Sequence, residues 1–324
     1  MKIKRAITYL PPAALCLLLS AGSLLQSCSG PFKNDYRDNS PTSGQLKVYY
    51  DEGLAPHVKN QTLTFESQYP NADVELFSVS EGEAVQALYN DSCEDIVISR
   101  LLNGQEKKAF ASKDYSPRFS AVALSGVVLI TNIGTPVGQL SVDQVKQLLT
   151  QPFSVKDSLG NTIHLNVLFD KKNSSVLHYA TDSLLQGRKL SASCGILGST
   201  IESINYVAQH KNTIALIDFA WLSDVDDSIY KANKNHIKFI ALGKGQDGHY
   251  YYPDQSNFKL GLYPFTRTVY VIRKTGDFTL AKGFESYVAG PKGQLTFLKQ
   301  GLLPARQGER SIRIKMSSGT EKKD

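Results

Sequence analysis

The segment Glu94–Leu102 constrains the fold more than any other part of the sequence. Its centre is a β-branched run, Ile96-Val97-Ile98, with no polar break. Such a run is typical of a strand that is buried on both faces. It ends in Ser99 and Arg100, a hydroxyl and a planar guanidinium that both donate hydrogen bonds to oxyanions. Because open α/β sheets bind ligands at the carboxyl ends of strands, this turn predicts an anion-binding edge, with an exposed strand end as the alternative.

Strands and helices alternate around this segment. The sequence predicts, in order, a strand over 47–50, a helix over 54–69, a strand over 74–77 and a helix after Ser80. Ser80 and Glu83 form a capping-box pattern at the start of that helix. We expect Glu81 and Glu83 to serve this cap, with a role as ligand acceptor as the alternative. The β-α-β-α-β order is that of a parallel sheet wrapped by helices.

Two long β-rich runs, 119–132 and 259–272, predict strands that cross between two domains. The sequence further predicts a helix capped by Ser141, strands over 165–169, 213–219, 237–242 and 312–314, and helices over 177–185, 200–209, 278–289 and 292–300. We therefore expect a two-lobed α/β fold whose parts are lobe 1 over 45–126 and 264–315, lobe 2 over 127–263, and a polar tail over 316–324. A cleft between two such lobes closes on a ligand by hinge motion.

The N-terminus predicts a signal peptide and a lipid anchor. Three cations, at positions 2, 4 and 5, precede an apolar run over 13–19 that is too short for a transmembrane helix. Leu25-Gln26-Ser27-Cys28 resembles a bacterial lipobox, in which Cys28 is acylated, with palmitate among the chains. We expect residues 1–27 to be the signal peptide and 28–44 a flexible tether. The protein would then be lipid-anchored in the cell envelope, facing the periplasm or the cell exterior.

Charge and cysteine content narrow the possible partners. The 324-residue chain has a formal net charge of +6, and the signal peptide takes three cations and no acid away. The remaining positive charge is too small to indicate nucleic acid as a partner. Once Cys16 is cleaved off and Cys28 is acylated, Cys93 and Cys194 remain. The sequence leaves open whether these two form a disulfide or are separate buried thiols.

Enzyme motifs are absent from the sequence. It contains no HExxH, GxSxG or Walker A motif, and its six histidines lack metal-ligand spacing. Residues 243–248 match the letters of a dinucleotide-binding fingerprint, but the following His-Tyr-Tyr-Tyr-Pro cannot open the helix that such a site requires. We therefore expect no catalysis, no cofactor and no metal.

Three strand-to-helix turns carry the candidate ligand-binding residues. The N-terminus of a helix presents free N–H groups and a partial positive charge, so several such turns around one cleft can hold an anion. The candidates are Asp51, Glu52 and Gly53 in the first turn, Ser99 and Arg100 in the second, and Asn173, Ser174 and Ser175 in the third. Each turn could instead be an ordinary helix cap, since Ser and Asn are preferred there.

Several segments together resemble the periplasmic phosphate-binding proteins that serve phosphate ABC importers. The matching segments, spread from about Leu46 to Ile314, are 79–88, 95–102, 126–132, 262–272, 290–294 and 301–304. The resemblance implies the two-lobed periplasmic-binding-protein fold (type II-like), with two α/β domains joined by two crossing strands. It also implies a monomeric receptor for phosphate or another small anion, an ABC transporter permease as partner, and no catalysis.

The three turns match that family unequally. In the family, a Ser/Thr-rich turn, a Ser-Arg turn and an Arg followed by Ser-Gly-Thr hold the ligand. The resemblance implies that Ser99 and Arg100 are the second of these, and that residues 173–175 are the third, with Lys171 or Lys172 in place of its arginine.

The first turn departs from the family, because Asp51 and Glu52 stand where hydroxyls are expected. Two carboxylates beside a dianion repel it. Two alternatives to phosphate therefore remain. One is a receptor that binds a cationic or neutral solute through Asp51 and Glu52, and the other is a surface binding protein that uses the same scaffold without transport.

Overall fold

The structure is a computed structural model that describes residues 39–306, apart from 246, 247 and 275. Its strands are β1 (Ser43–Asp51), β2 (Asn71–Val79), β3 (Asp95–Ile98), β4 (Arg118–Asn132), β5 (Gln139–Ser141), β6 (Phe153–Lys156), β7 (Thr162–Phe169), β8 (Cys194–Ile196), β9 (Thr213–Asp218), β10 (Ile237–Phe239), β11 (Ala241–Gly243), β12 (Thr266–Arg273) and β13 (Leu303–Pro304).

The helices alternate with these strands along most of the chain. They are α1 (Ala55–Gln68), α2 (Glu81–Tyr89), α3 (Gly104–Ala111), α4 (Val142–Thr150), α5 (Ser175–His178), α6 (Thr200–Gln209), α7 (Ser228–Asn233), α8 (Gln255–Lys259), α9 (Leu280–Val288) and α10 (Pro291–Lys299). A π-helical turn, Tyr179–Leu184, directly follows α5, and short 3₁₀ turns follow β1 and β9.

A mixed sheet runs through the described chain in the order β2-β1-β3-β12-β4-β9-β7-β6. Strands β2 to β12 of this order and the elements packed on them are called one half, and strands β9 to β6 with their elements the other. Strand β1 lies parallel to β2 and β3, whereas β12 is antiparallel to both β3 and β4. Strand β4 pairs with β12 as far as Gly126 and with β9 from Val127 onwards. It therefore passes from one half of the sheet to the other, as the 119–132 run predicted. The lobe boundaries at 126/127 and 263/264 remain a prediction.

Strand β3 is buried on both faces, as its sequence predicted. All four of its residues are buried. Ile96 and Ile98 pack with Leu88 and Phe110 in a cluster on one side, whereas Val97 belongs to the main core. Because successive side chains of a strand point to opposite faces, this short strand has layers of apolar residues on both sides. The turn after it is held in place by that packing.

Several predicted elements differ from the observed ones. The predicted strand over 259–272 begins only at Thr266, because α8 and a turn occupy 255–265 and Pro264 cannot donate to a ladder. The predicted strand over 237–242 is two strands, which separate at Ile240, whose N–H donates to Leu129. Helix α3 and strand β6 were not predicted.

Some predictions lie outside the described residues. These are the signal peptide, the acylated Cys28, residues 28–38 of the tether, the strand over 312–314 and the tail. Residues 43 and 44, expected to belong to the flexible tether, are instead the start of β1. Cys93 and Cys194 are free thiols, so no disulfide joins them. Among the described residues, no helix has both the length and the apolarity to cross a membrane.

Asp95, the first residue of β3, is a buried carboxylate without a hydrogen-bond partner among the described residues. Burial first, and then the charge of Glu285, raise the pKa of Asp95 well above its ordinary value. The folded protein therefore binds this proton more tightly than the unfolded chain does. Stability from this group is highest below the ordinary pKa of about 4 and falls as the pH rises through the raised value.

We expect Asp95→Asn to stabilise the fold at pH 7 by about 1–3 kcal/mol, since folding at this pH must either protonate Asp95 or bury its charge, whereas asparagine does not ionise. At about pH 3.5, just below the ordinary carboxyl pKa, the variant and the wild type should have the same free energy of unfolding. Urea unfolding at both pH values measures this. Asp143→Asn, at an exposed aspartate, is the matched control and should change little. A less stable Asp95→Asn variant at pH 7 would contradict the prediction.

Candidate functional site

A cavity of about 330 Å³ lies between elements of the two halves of the chain. It is lined by Glu81, Gly82, Ser99, Arg100, Leu101, Asn103, Ser175, His178, Tyr179, Asp182, Ser183 and Arg267. Two of the predicted turns, Ser99-Arg100 and the one containing Ser175, therefore meet at this cavity. The first turn, Asp51-Glu52-Gly53, does not line it.

Arg267, from β12, is the buried cation of the cavity. Only 8% of its surface is exposed, and its Nη2 donates to Oδ2 of Asp218. The Nε–H of Arg267 has no hydrogen-bond partner among the described residues, and the same is true of the Ser99 hydroxyl, which is 5% exposed. Buried polar groups are nearly always satisfied, so two unpartnered donors on residues that line one cavity are compatible with a ligand that brings acceptors.

Asp218 fixes the guanidinium of Arg267. It lies fully buried at the end of β9, where the Ser125 hydroxyl donates to Oδ1 at 2.6 Å and the Ala220 N–H at 2.8 Å. Burial works against the charged form of Arg267, but the carboxylates of Asp218, Glu81 and Asp51 outweigh it and raise the pKa of Arg267. The guanidinium therefore stays protonated inside the protein.

Arg100 lines the cavity, but carboxylates hold most of its donors. Its Nε donates to Glu81 at 3.2 Å, its two Nη atoms donate to Glu106 at 2.8 and 2.9 Å, and Nη1 also donates to the Leu101 carbonyl. One N–H of the five remains for another partner. The expected role of Arg100 as a ligand-binding residue stays a prediction, and Arg267 is a second candidate for the cation that faces an anion.

Glu81 does not cap helix α2 as expected. The capping box is completed by Ser80 and Glu83 alone. Glu81 is buried and accepts the Ser99 N–H at 2.7 Å as well as Arg100 Nε. It thus ties the Ser99-Arg100 turn to α2 and is already neutralised by Arg100.

The first turn, Asp51-Glu52-Gly53, lies beside the cavity and forms contacts between the two halves of the chain. The Ser175 hydroxyl donates to Oδ2 of buried Asp51 at 2.5 Å, and the Thr200 hydroxyl donates to Glu52 at 3.2 Å. Burial, followed by Glu81, raises the pKa of Asp51 well above its ordinary value. Burial, followed by Asp170, also raises the pKa of Glu52.

Gly53 is a position of close approach. A Cβ at this residue would lie 3.1 Å from Oδ2 of Asp51 and 3.2 Å from Cβ of Asp218. A larger residue would push the first turn away from the end of β9. Glycine therefore allows the contact between the two halves at this point.

The three residues of the second-lobe turn have separate roles. Ser174 caps α5 by accepting the Leu177 N–H at 3.1 Å, while Asn173 is exposed with a left-handed backbone, φ 64°. Only Ser175 lines the cavity, and neither Lys171 nor Lys172 does. The missing family arginine is therefore not replaced there by a lysine of this turn.

The π-helical turn after α5 forms the other wall of the cavity. Tyr179 lies at its start, and the ring centroid is 5.9 Å from Cζ of Arg267. A guanidinium at this distance over an aromatic face is attracted by the ring. π-helical turns are uncommon and often mark functional sites.

Arg267 and Asp218 were not identified from the sequence, although Arg267 carries a signal. Along β12 the alternate positions 267, 269 and 271 are buried before the fully buried end at 272 and 273, so Arg267 occupies an inward position in an alternation that otherwise places valines there. A charged residue at an inward position of a strand requires a partner or a ligand. Asp218 carries no comparable signal, because an aspartate at a strand end is an ordinary helix cap.

The two-lobed α/β fold, with a cavity between its halves, is the architecture of a recognised superfamily. The chain belongs to the PBP superfamily, whose domain model matches residues 37–292. No group of three or more potential metal ligands lies together in the described residues.

Individual relatives are distant but nearly full-length. The chain is 22% identical to the phosphate-binding protein PstS of Pseudomonas aeruginosa, over 97% of this chain and 99% of that protein. A candidate phosphate ABC transporter substrate-binding protein from Clostridium perfringens, with bound phosphate, is similar in structure (TM-score 0.66, 20% identity, 81% of this chain and 100% of that one). So is an ABC-type phosphate transport receptor from Vibrio cholerae (TM-score 0.61, 14% identity, 81% and 100%). These likenesses confirm the predicted fold class.

We expect Arg267→Gln to lower the free energy of unfolding by about 3–5 kcal/mol, because it leaves the buried Asp218 carboxylate unpaired. Chemical denaturation measures the change. The control is Arg118→Gln in the same sheet, where the partner is the exposed Asp277 and the loss should stay under about 1 kcal/mol. Equal losses in the two variants would show that the Arg267–Asp218 pair does not stabilise the fold.

Proposed function

We propose that this chain is the solute-binding receptor of an ABC importer and binds phosphate or a related small oxyanion in the cavity at Ser99 and Arg267. Two buried donors support the proposal most directly. Ser99 and Arg267 both line one cavity, and the hydroxyl of Ser99 and the Nε–H of Arg267 are buried donors with no acceptor among the described residues. A phosphate oxygen is an acceptor that fits both groups.

The carboxylates around the cavity are compatible with this anion. Glu81 is matched by Arg100 and by the Ser99 N–H. The raised pKa of Asp51 favours its neutral form, and Asp51 accepts the Ser175 hydroxyl. A bound oxyanion would therefore meet fewer net negative charges than the count of acids in the sequence implies.

The cellular setting follows from the same proposal. The Pseudomonas aeruginosa relative is named for phosphate binding, and the Clostridium perfringens neighbour holds phosphate. We infer a monomer without catalytic activity, anchored through acylated Cys28 outside the cytoplasm, which delivers its solute to a membrane permease. Two acyl chains are sufficient for stable membrane residence.

A second candidate is a receptor for a neutral or cationic solute. It is favoured by one observation, namely that both arginines of the cavity are already paired, Arg267 with Asp218 and Arg100 with Glu81 and Glu106. The cavity wall therefore carries little unbalanced positive charge. Asp51 and Glu52, which lie beside the cavity, would then have to be ionised to supply the negative charge for the solute.

We expect the detergent-solubilised full-length protein, stripped of ligand, to bind phosphate in isothermal titration calorimetry. Ser99→Ala should weaken binding about tenfold, since one hydrogen bond to an anion is worth roughly 1.5 kcal/mol. Arg267→Lys should weaken it by at least as much, because lysine keeps the charge but loses the Nε–H. Arg118→Lys is the matched control. A flat phosphate trace with wild type would contradict the proposal, and parallel sulfate titrations would show its selectivity.

The double variant Asp51→Asn, Glu52→Gln separates the two candidates. It removes both charges at nearly constant side-chain size. Phosphate binding should stay equal or become tighter if the cavity holds an anion, because repulsion is removed. Loss of binding to a neutral or cationic solute, measured by the same calorimetry, would favour the second candidate. Asp143→Asn is the charge control.

A further inference from the structure

The cavity has a buried end and an exposed end. Ser99, Ser175 and Arg267 are buried, and this end contains the two donors without an acceptor. The remaining lining includes exposed residues of both halves, namely Gly82, Leu101, Asn103, His178, Asp182 and Ser183. An oxyanion at the buried donors would therefore leave the exposed end for something else.

The size of the cavity exceeds what inorganic phosphate needs. The volume is about 330 Å³. Phosphate has five heavy atoms, and if each takes no more room than a water molecule, about 30 Å³, phosphate fills at most about half of this space. Cavities of roughly 300 Å³ and above are typical of organic ligands. The cavity thus has room for an oxyanion that carries a substituent.

The exposed end has the chemistry to receive a polar substituent. Asn103 already accepts the Glu106 N–H through Oδ1, so its amide group is left to act mainly as a donor. Ser183 offers a hydroxyl, and the Asp182 carboxylate lies 3.7 Å from His178. Donors and acceptors together suit hydroxyl groups, which both donate and accept.

Gly82 leaves the wall of this end open. A Cβ built at Gly82 meets no atom within 4 Å, and its backbone is not left-handed. A side chain at this position could therefore project into the cavity without strain. The only glycine of α2 thus lines the cavity at a position where a larger side chain would meet no steric obstacle.

We propose that the cavity binds a small hydroxylated phosphomonoester, with the phosphoryl group at Ser99 and Arg267 and the hydroxylated substituent beside Gly82, Asn103 and Ser183. This inference rests on the proposed oxyanion-binding function and narrows its ligand class. The substituent adds hydrogen bonds that inorganic phosphate cannot make. A gain of about 1.4 kcal/mol corresponds to tenfold tighter binding.

The test compares glycerol 3-phosphate with inorganic phosphate by calorimetry on the full-length protein, with glycerol as the blank. Wild type should bind glycerol 3-phosphate at least about tenfold more tightly than phosphate. Gly82→Leu should reduce this affinity ratio at least about tenfold, because leucine fills the exposed end. Ser183→Ala, a milder change, should also reduce the ratio. Gly104→Leu is the matched control, since Gly104 lies in the first turn of α3, is equally open and does not line the cavity.

Each outcome has a distinct meaning. If phosphate binds but glycerol 3-phosphate binds no more tightly, the phosphomonoester inference is wrong and the proposed oxyanion function stands. If neither binds to wild type, both are wrong. If both bind and neither Gly82→Leu nor Ser183→Ala changes the ratio, although thermal unfolding shows the variants are folded, the substituent does not lie at the exposed end and the inference is overturned.

Discussion

The buried ion pair between Arg267 and Asp218 is the interaction on which the rest of the site depends. It joins β12 to the end of β9, and the Ser125 hydroxyl from β4 completes it. Of these strands, β4 passes from one half of the sheet to the other. A buried charge without a partner is costly, so the pair keeps the halves in register around the cavity. Asp218 accepts from Nη2 of the guanidinium, and the Nε–H is left without a partner among the described residues.

A second group of paired charges holds the turn that contains Ser99 in place at the cavity. Glu106 binds Arg100 in a bidentate manner, and Glu81 binds both Arg100 and the Ser99 N–H. The turn after β3 is therefore rigid, and its hydroxyl remains available. In both groups, paired charges hold a hydrogen-bond donor in position. Such donors can bind a desolvated anion without an excess of positive charge.

The two acids of the first turn, whose charges would repel an anion, accept hydrogen bonds from hydroxyl groups. Asp51 accepts from Ser175, and Glu52 accepts from Thr200, each across the junction between the halves. Their raised pKa values follow mainly from burial, which favours the neutral form of a carboxyl group. They contribute to the contact between the halves more directly than to the lining of the cavity.

The sequence by itself determined the elements and the edge of the site. Hydrophobic period and capping chemistry are local, so β3, the capping box of α2 and the crossing role of β4 could be predicted from neighbouring residues. The Ser99 and Ser175 turns were likewise found as strand-to-helix junctions. Only the tertiary structure decided the partners of the charges, because Arg267 and Asp218 are far apart in the chain and meet through strand pairing. Energies of buried charges depend on those distances and on burial, which sequence spacing does not contain.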